Sequence, residues 1–263
     1  MNERRRYSRR SILRAATVLP ASAALTSIAY EAFMGKEVDL SGYQATTIAH
    51  NAALTPETLY RALRSSVDYV EVDITLVDGK PVVAHSPKEY RELSFFDRKH
   101  QDVERILDQI AKAQKTPMFD LKNEIRNIAD IPKLTGLLNE SPGSMVSSNT
   151  HGLLNSIRAN GYNGKLLYSI GNKGAFDNFS PLDLGENAGV SVQWELLNEA
   201  KVANLKSYGL TVVAWNPTTP GNIKKTLEYG VNAITSDNTE LLGTIGNPNI
   251  MIADQEHQLP PAG

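Results

Sequence analysis

From residue 46 onward, short runs of apolar and β-branched residues alternate with segments in which apolar residues recur every three or four positions. The short runs lie at 46–50, 69–76, 116–122, 144–148, 165–170, 190–194, 211–216 and 233–236. Each is near-continuous in apolar residues over part of its length, the pattern of parallel strands covered on both faces. Helix-period segments follow at 56–64, 102–115, 131–139, 151–160, 198–208 and 223–229, with weaker signals after the fifth and eighth strands. Thr55-Pro56-Glu57 sets a capping residue before a first-turn proline and an acid, and Gly161, Gly209 and Gly230 each stand just past a helical run. Strand followed by helix, repeated eight times, predicts an α/β fold closed as a (β/α)₈ TIM barrel, a single domain over 44–246.

That architecture places chemistry at the carboxyl ends of the strands and leaves the other face to stability. Polar residues collect at those ends. Strand one finishes with His50 and Asn51, strand two carries Glu71 and Asp73, and strand three ends in Asp120 and Lys122. The turn strand after strand two ends at His85, and strand seven ends in Trp215-Asn216. Glu71 and Asp73 are two apart, so both point to one face of their strand. On an edge strand they would face solvent, with Val72 and Ile74 turned inward. Inside a barrel they would repel each other unless a cation lay between them. With Asp120 beside them they form an all-oxygen donor set for one hard divalent cation, Mg²⁺ or Ca²⁺ rather than zinc. His50 and His85 have the chemistry of an acid/base pair near neutral pH, and Lys122 can balance charge on a phosphoryl oxygen. His100, His151 and His257 read as packed or surface residues.

Composition narrows the classes. The chain has 41% hydrophobic residues, 21% charged residues and a net charge of −2, so it carries no basic footprint for nucleic acid. It has no cysteine, which removes disulfides, thiolate metal sites and a cysteine nucleophile. Residues 1–35 differ from the rest: Arg4, Arg5, Arg6, Arg9, Arg10 and Arg14 precede an apolar stretch from Ala15 to Ala29. This order is that of an export signal, and Ser8-Arg9-Arg10-Ser11-Ile12-Leu13-Arg14 resembles the bacterial twin-arginine signal. Ala21-Ser22-Ala23 has the form of a cleavage site, with Ala29 or an uncleaved anchor as alternatives. The expectation is a protein exported from a bacterial cytoplasm, able to meet a membrane surface. Residues 247–263, with Pro260-Pro261, read as an irregular tail.

The same residues resemble the glycerophosphodiester phosphodiesterase family. Its Ile-Ala-His-Arg-Gly and Pro-Glu-Asn-Thr patterns are similar to Ile48-Ala49-His50-Asn51-Ala52 and Pro56-Glu57-Thr58. Its Glu-x-Asp and Asp-Gly-x-Pro-Val-Val-x-His-Asp patterns match Glu71-Val72-Asp73 and the run Asp78 to Ser86. Its later Glu-x-Lys, Trp-Thr-x-Asn and Gly-Val-x-x-Ile-x-Thr-Asp resemble Asp120-Leu121-Lys122, Ala214-Trp215-Asn216 and the run Gly230 to Asp237. The resemblance spans most of the domain in order. It implies metal-dependent hydrolysis of glycerophosphodiesters, with His50 and His85 catalytic and Glu71, Asp73 and Asp120 on the metal. It also implies Lys122 as a phosphate contact, Glu57 as an outer ligand or hydrogen-bond partner, and Trp215 at the substrate mouth or as a packed aromatic on the barrel top. A substrate hydroxyl could attack phosphorus first, giving a cyclic intermediate.

The departures define alternatives. The family's phosphate-holding arginine is Asn51, a neutral substrate-contact position that cannot form a charged bidentate clamp. Ser86 replaces an aspartate, Asp120 replaces a glutamate, and the stretch between His85 and the second helix leaves little room for a head-group cap. Loss of the arginine with Asp-x-Lys on strand three also resembles the sphingomyelinase D and lysophospholipase D group, which acts on lipids by transphosphatidylation. A non-catalytic barrel that binds phosphodiesters is the third alternative. The expected partner is a small-molecule or lipid phosphodiester.

Overall fold

A computed structural model describes residues 38–246, apart from 123, 124, 126, 127 and 183. The expected signal at 1–35 and tail at 247–263 lie outside the described residues. Among the described residues nine strands form one sheet: β1 (Thr46–Ala49), β2 (Tyr69–Val77), β3 (Lys80–Val83), β4 (Thr116–Leu121), β5 (Met145–Ser148), β6 (Lys165–Ile170), β7 (Ala188–Gln193), β8 (Thr211–Trp215) and β9 (Ala233–Ser236). Parallel pairing runs β1-β9-β8-β7-β6-β5-β4-β2, and β2 returns to β1 through Ile48 opposite Tyr69. The barrel is therefore closed, with the eight parallel strands the apolar pattern predicts. β3 is antiparallel to the far end of β2 and rises from the rim as a hairpin. Asp78 and Gly79 make that turn at φ 51° and 72°, the left-handed pair that a two-residue hairpin turn demands.

Helices pack outside: α1 (Pro56–Arg64), α2 (Pro87–Glu92), α3 (Phe95–His100), α4 (Val103–Lys112), α5 (Ile131–Asn139), α6 (His151–Ala159), α7 (Lys173–Asp177), α8 (Glu199–Ser207), α9 (Pro220–Glu228) and α10 (Thr239–Leu242). Thr55 caps α1 through a hydrogen bond from Thr58 N, worth about 1 kcal/mol. Gly161, Gly209 and Gly230 close their helices with φ of 92°, 77° and 78°. The weak fifth and eighth helical signals correspond to α7 and α10, of five and four residues.

Three expectations need correction. The second helix ends at Lys112, short of 115, because Gln114 turns left-handed and the Lys115 ammonium reaches back to the carbonyls of Ser65 and Val67. β7 starts at Ala188, before 190, because Gly189 belongs to it; a Cβ there would lie 2.6 Å from Thr211 O. The stretch after His85 holds two short helices, α2 and α3, started by Ser86 and Ser94, whose hydroxyls accept from Glu89 N and Asp97 N. Neither helix buries a residue, so apolar periodicity had nothing to report.

Inside the barrel the side chains form layers. Ile48, Met118, Met145, Leu167, Val213 and Ala233 make a buried apolar floor, with Tyr69 packed against it. Two residues further along the same strands stand His50, Asp120, Ser147, Ser169, Trp215 and Thr235, all lining one cavity. Strand periodicity of two turns both sets inward. The site is the second storey of the core.

Candidate active site

Glu71 and Asp73 occupy inward positions of β2, and Asp73 pairs in register with Asp120 on β4. Carboxylate oxygens of Glu71, Asp73 and Asp120 approach within 4.8 Å of one another. Glu71 and Asp73 are buried, at 6% and 1% exposure. The edge-strand reading, with both acids in solvent, does not apply. Three clustered carboxylates need positive charge, and Lys122 provides part of it. Its ammonium lies 2.7 Å from Asp73 Oδ1 and 2.5 Å from Asp120 Oδ2. Burial alone would lower the lysine's pKa, but Asp120 and Asp73 raise it above its ordinary value. Ser147 Oγ donates to Asp120 Oδ1 at 2.6 Å.

Glu71 is the least compensated of the three. Burial pushes its carboxyl up to about 7; His50 pulls it down, while Asp73 and Asp120 push it further up. The Asn51 N–H, donating to Glu71 Oε2 at 2.9 Å, offsets only part of this. Burial would also raise Asp73, but the His85 hydrogen bond and Lys122 hold it below the ordinary carboxylate value.

Each predicted histidine is held by a carboxylate through the same ring atom. His50 Nδ1 is 2.8 Å from Asp237 Oδ1, and His85 Nδ1 is 2.9 Å from Asp73 Oδ2. A carboxylate only accepts, so each Nδ1 carries the hydrogen and each Nε2 is left for proton exchange. His50 Nε2 lies 3.7 Å from Glu71 Oε2. Both rings hold their proton above the ordinary imidazole range. For His50, burial opposes the rise and is outweighed by the Asp237 hydrogen bond and the Glu71 charge; for His85, the Asp73 hydrogen bond leads. Asn216 Nδ2 donates to Asp237 Oδ2 at 2.6 Å, and Asp237 N donates to Asn216 Oδ1 at 3.1 Å, which fixes the carboxylate against His50.

The structure thus brings together His50, His85, Glu71, Asp73, Asp120, Lys122 and Asn51. Trp215 lines the cavity, its indole N–H donating to Ser191 O at 3.1 Å, so the mouth position and the packed position are the same one. Glu57 is not brought in. It is 74% exposed on α1 and pairs with Arg61 one turn on, because the cap of that helix is closed by Thr58 instead. Sequence reasoning passed over Asp237 and Asn216 as partners of His50, although both stand in the quoted strand-end motifs. It also set aside His151, which lines the cavity while its ring meets Tyr168 edge-on at 5.1 Å. His100 ends the exposed helix α3, and His257 lies outside the described residues.

The cavity opens from the charged cluster across the barrel to β6 and β7 and has a volume of about 950 Å³. No helix among the described residues is long and apolar enough to cross a membrane.

No family model matches the chain, and no curated protein matches it. Solved structures do. A phosphodiesterase from Oleispira antarctica, in complex with the product sn-glycerol-3-phosphate, is 18% identical with a TM-score of 0.62, covering 77% of this chain and 96% of that one. A glycerophosphodiester phosphodiesterase from Parabacteroides distasonis is 18% identical with a TM-score of 0.62, covering 77% and 97%. Another from Thermotoga maritima is 16% identical with a TM-score of 0.61, covering 76% and 97%. At these identities the likeness establishes the shared barrel fold.

Proposed function

We propose that this protein is a divalent-metal-dependent phosphoric diester hydrolase acting on glycerophosphodiesters. The observation that carries this reading is the meeting of three carboxylates with ligand atoms within 4.8 Å, flanked by two histidines, each with Nδ1 tied to an acid. The neighbours in structure support it, and the glycerol phosphate bound to the Oleispira antarctica enzyme supports a small phosphodiester as substrate.

The residues fit a cation. Glu71, Asp73 and Asp120 offer oxygen alone, which suits Mg²⁺ or Ca²⁺, and Lys122 pairs directly with only two of the three carboxylates, Asp73 and Asp120. When bound, the ion would polarise the phosphoryl group and offset charge that grows on its oxygens. Lys122, held between Asp73 and Asp120, adds a fixed positive charge beside it. One histidine Nε2 takes the proton of the attacking hydroxyl, from water or from the substrate's own glycerol. The other gives a proton to the departing alcohol oxygen as its bond to phosphorus breaks. Asp237 and Asp73 stabilise the imidazolium in either role.

Asn51 and Ser86, the two departures that favour a non-catalytic barrel, both have local work. Asn51 adopts a left-handed φ of 50°, which asparagine tolerates, and so aims its backbone N–H at Glu71; Ser86 caps α2. Among described lining residues the cavity has no aliphatic side chain larger than Ala175, which favours a short diester over the lysolipid of the phospholipase D-like alternative. The Arg-rich, then apolar, start of the chain supports an exported location.

Hydrolysis of glycerophosphocholine and lysophosphatidylcholine, with and without EDTA and beside His50→Ala, tests the reading. Turnover of the short diester that chelation and substitution both abolish is expected. Turnover of the lysolipid alone would transfer the protein to the lipid-directed group. Absence of turnover of either in Mg²⁺ and Ca²⁺ would leave the binding-only barrel, and a cyclic phosphate product would identify attack by the substrate's own hydroxyl.

A further inference from the structure

Between β3 and α4 the chain leaves the barrel rim at His85 and returns at Gln101. The Gln101 carbonyl accepts from Val83 N at 3.1 Å, and its side-chain amide donates to Leu54 O at 2.6 Å, so the excursion is pinned where it returns. α2 and α3 fill it and bury no side chain, whereas α4, which follows, buries Val103, Ile106 and Ile110. Helices that add nothing to the core are expected to be polar all round. Instead α3 opens with Phe95 and Phe96, 69% and 74% exposed, their rings edge to face at 5.9 Å. One exposed apolar residue is ordinary; two adjacent phenylalanines held in water call for a partner. Cations stand among the rings. The Lys99 ammonium lies 4.9 Å from the centre of the Phe95 ring, and the Arg98 guanidinium 5.6 Å from that of Tyr90.

The acids of the excursion are occupied. Glu92 pairs with Lys88 at 3.9 Å, Asp97 accepts from the Ser94 hydroxyl at 2.6 Å, and the charge of Glu89 is felt by His85. Arg91 is paired as well, with Asp78 at 3.6 Å. Arg98 donates only to the carbonyls of Leu93 and Arg91, and among the described residues neither Arg98 nor Lys99 meets a carboxylate. We propose that α3, with Tyr90 of α2, docks this rim of the barrel onto an anionic lipid bilayer, Phe95 and Phe96 entering the headgroup boundary while Arg98 and Lys99 meet lipid phosphates. Shape favours lipid over a protein partner. Adjacent helical residues point about 100° apart, so the two rings form no stripe. A six-residue helix is also too short for the i, i+3, i+4, i+7 anchors of a helix seated in a groove. A fluid bilayer closes around a convex pair of rings, and aromatic groups beside cations on long stems are what helices lying at a lipid interface present. Because Ser86, next to His85, caps α2, the docking surface lies on the barrel face that holds the mouth.

The chain has no cysteine, so one introduced thiol sets a polarity-sensitive fluorophore at a single position of the full-length protein. Phe96→Cys places it on α3. Tyr208→Cys places it at the end of α8, just before β8 begins and so on the opposite face of the barrel. A local signal is needed because the Arg-rich residues 4–14 offer anionic vesicles a second attachment. With vesicles of equal phosphatidylglycerol and phosphatidylcholine, emission at 96 is expected to shift to the blue and rise by about twofold or more, with no change at 208. Vesicles of phosphatidylcholine alone should move neither. No response at 96, an equal response at both positions, or an equal response to uncharged vesicles overturns the proposal. Lys99→Glu in the labelled Phe96→Cys protein should raise the lipid needed for half the response by about threefold or more, and an unmoved value takes the charge out of the docking and overturns it. Phe95→Ser combined with Phe96→Ser should leave the urea midpoint and any turnover of glycerophosphocholine in place, since neither ring is buried or in the site. A lipid-free dimer that the same double substitution dissolves, seen by sedimentation, would assign the rings to a second copy instead. The vesicle readouts need no turnover, so a protein that cleaves no diester leaves this proposal standing, and a hydrolase that ignores vesicles sinks it alone.

Discussion

Two storeys of one barrel, built on the same strands and two residues apart, have opposite characters. The lower holds Ile48, Met118, Met145, Leu167, Val213 and Ala233, buried and apolar around its circumference. The upper holds His50, Asp120, Ser147, Ser169, Trp215 and Thr235 and opens into the cavity. The backbone treats both alike, so the difference lies in what the side chains meet. The floor has only other side chains to contact and gains from dispersion and exclusion of water. The storey above must satisfy carboxylates and imidazoles, and it does so by pairing them and by opening to a ligand. Stability and chemistry are thus separated by one β-repeat rather than by distance.

That separation can be attacked from either storey. The largest effect is expected from His50→Ala above the floor, which should lower kcat/KM for a glycerophosphodiester by about a hundredfold to ten-thousandfold, with the urea midpoint nearly in place. A comparable loss of stability would show that the upper storey also carries the fold. Below, Leu167→Ala should remove about 2–5 kcal/mol from the unfolding free energy, measured by urea titration, while the protein that remains folded keeps its kcat. If kcat fell with stability, the two storeys would be coupled and the contrast would fail.

Asp73→Asn separates the pairing from the packing. It leaves a shape close to the original but takes the charge from between His85 and Lys122, both within 3 Å of it. Calorimetric binding of Mg²⁺ or Ca²⁺ should weaken by at least about tenfold, and unweakened binding would remove Asp73 from the ligand set.

The smallest effect is a titration. In EDTA, the His50 ring should titrate above the ordinary value of 6.5, since burial, which lowers it, is outweighed by the hydrogen bond to Asp237 and the charges of Glu71 and Asp237. Asp237→Asn should bring the NMR midpoint down. The stability contributed by this pair is complete where ring and carboxylate are both charged. It fades as pH rises through the raised pKa of His50, and again as pH falls through the lowered pKa of Asp237. An unmoved midpoint in Asp237→Asn would mean that the charges of Glu71 and Asp73 hold the His50 proton.

The sequence by itself determined the repeating unit and most of the site. Eight apolar runs separated by capped helices leave few ways to bury both faces of a sheet, and a two-residue spacing commits Glu71 and Asp73 to one side of their strand. Short-range rules also marked the stops at Gly161, Gly209 and Gly230. What they missed are elements with nothing buried, α2 and α3, because patterning speaks only where burial is periodic. Tertiary structure decided which polar residue meets which. Closure of the barrel sets β9 beside β1 and so delivers Asp237 to His50 across 187 positions of chain. It left Glu57, at a position that looked equally suitable, in solvent beside Arg61. It also aligned Ser147, Ser169, Ser191 and Thr235, unremarkable one at a time, around one cavity. Local chemistry is written residue by residue, but a shared cavity depends on strand order and register, which exist only once the sheet has closed.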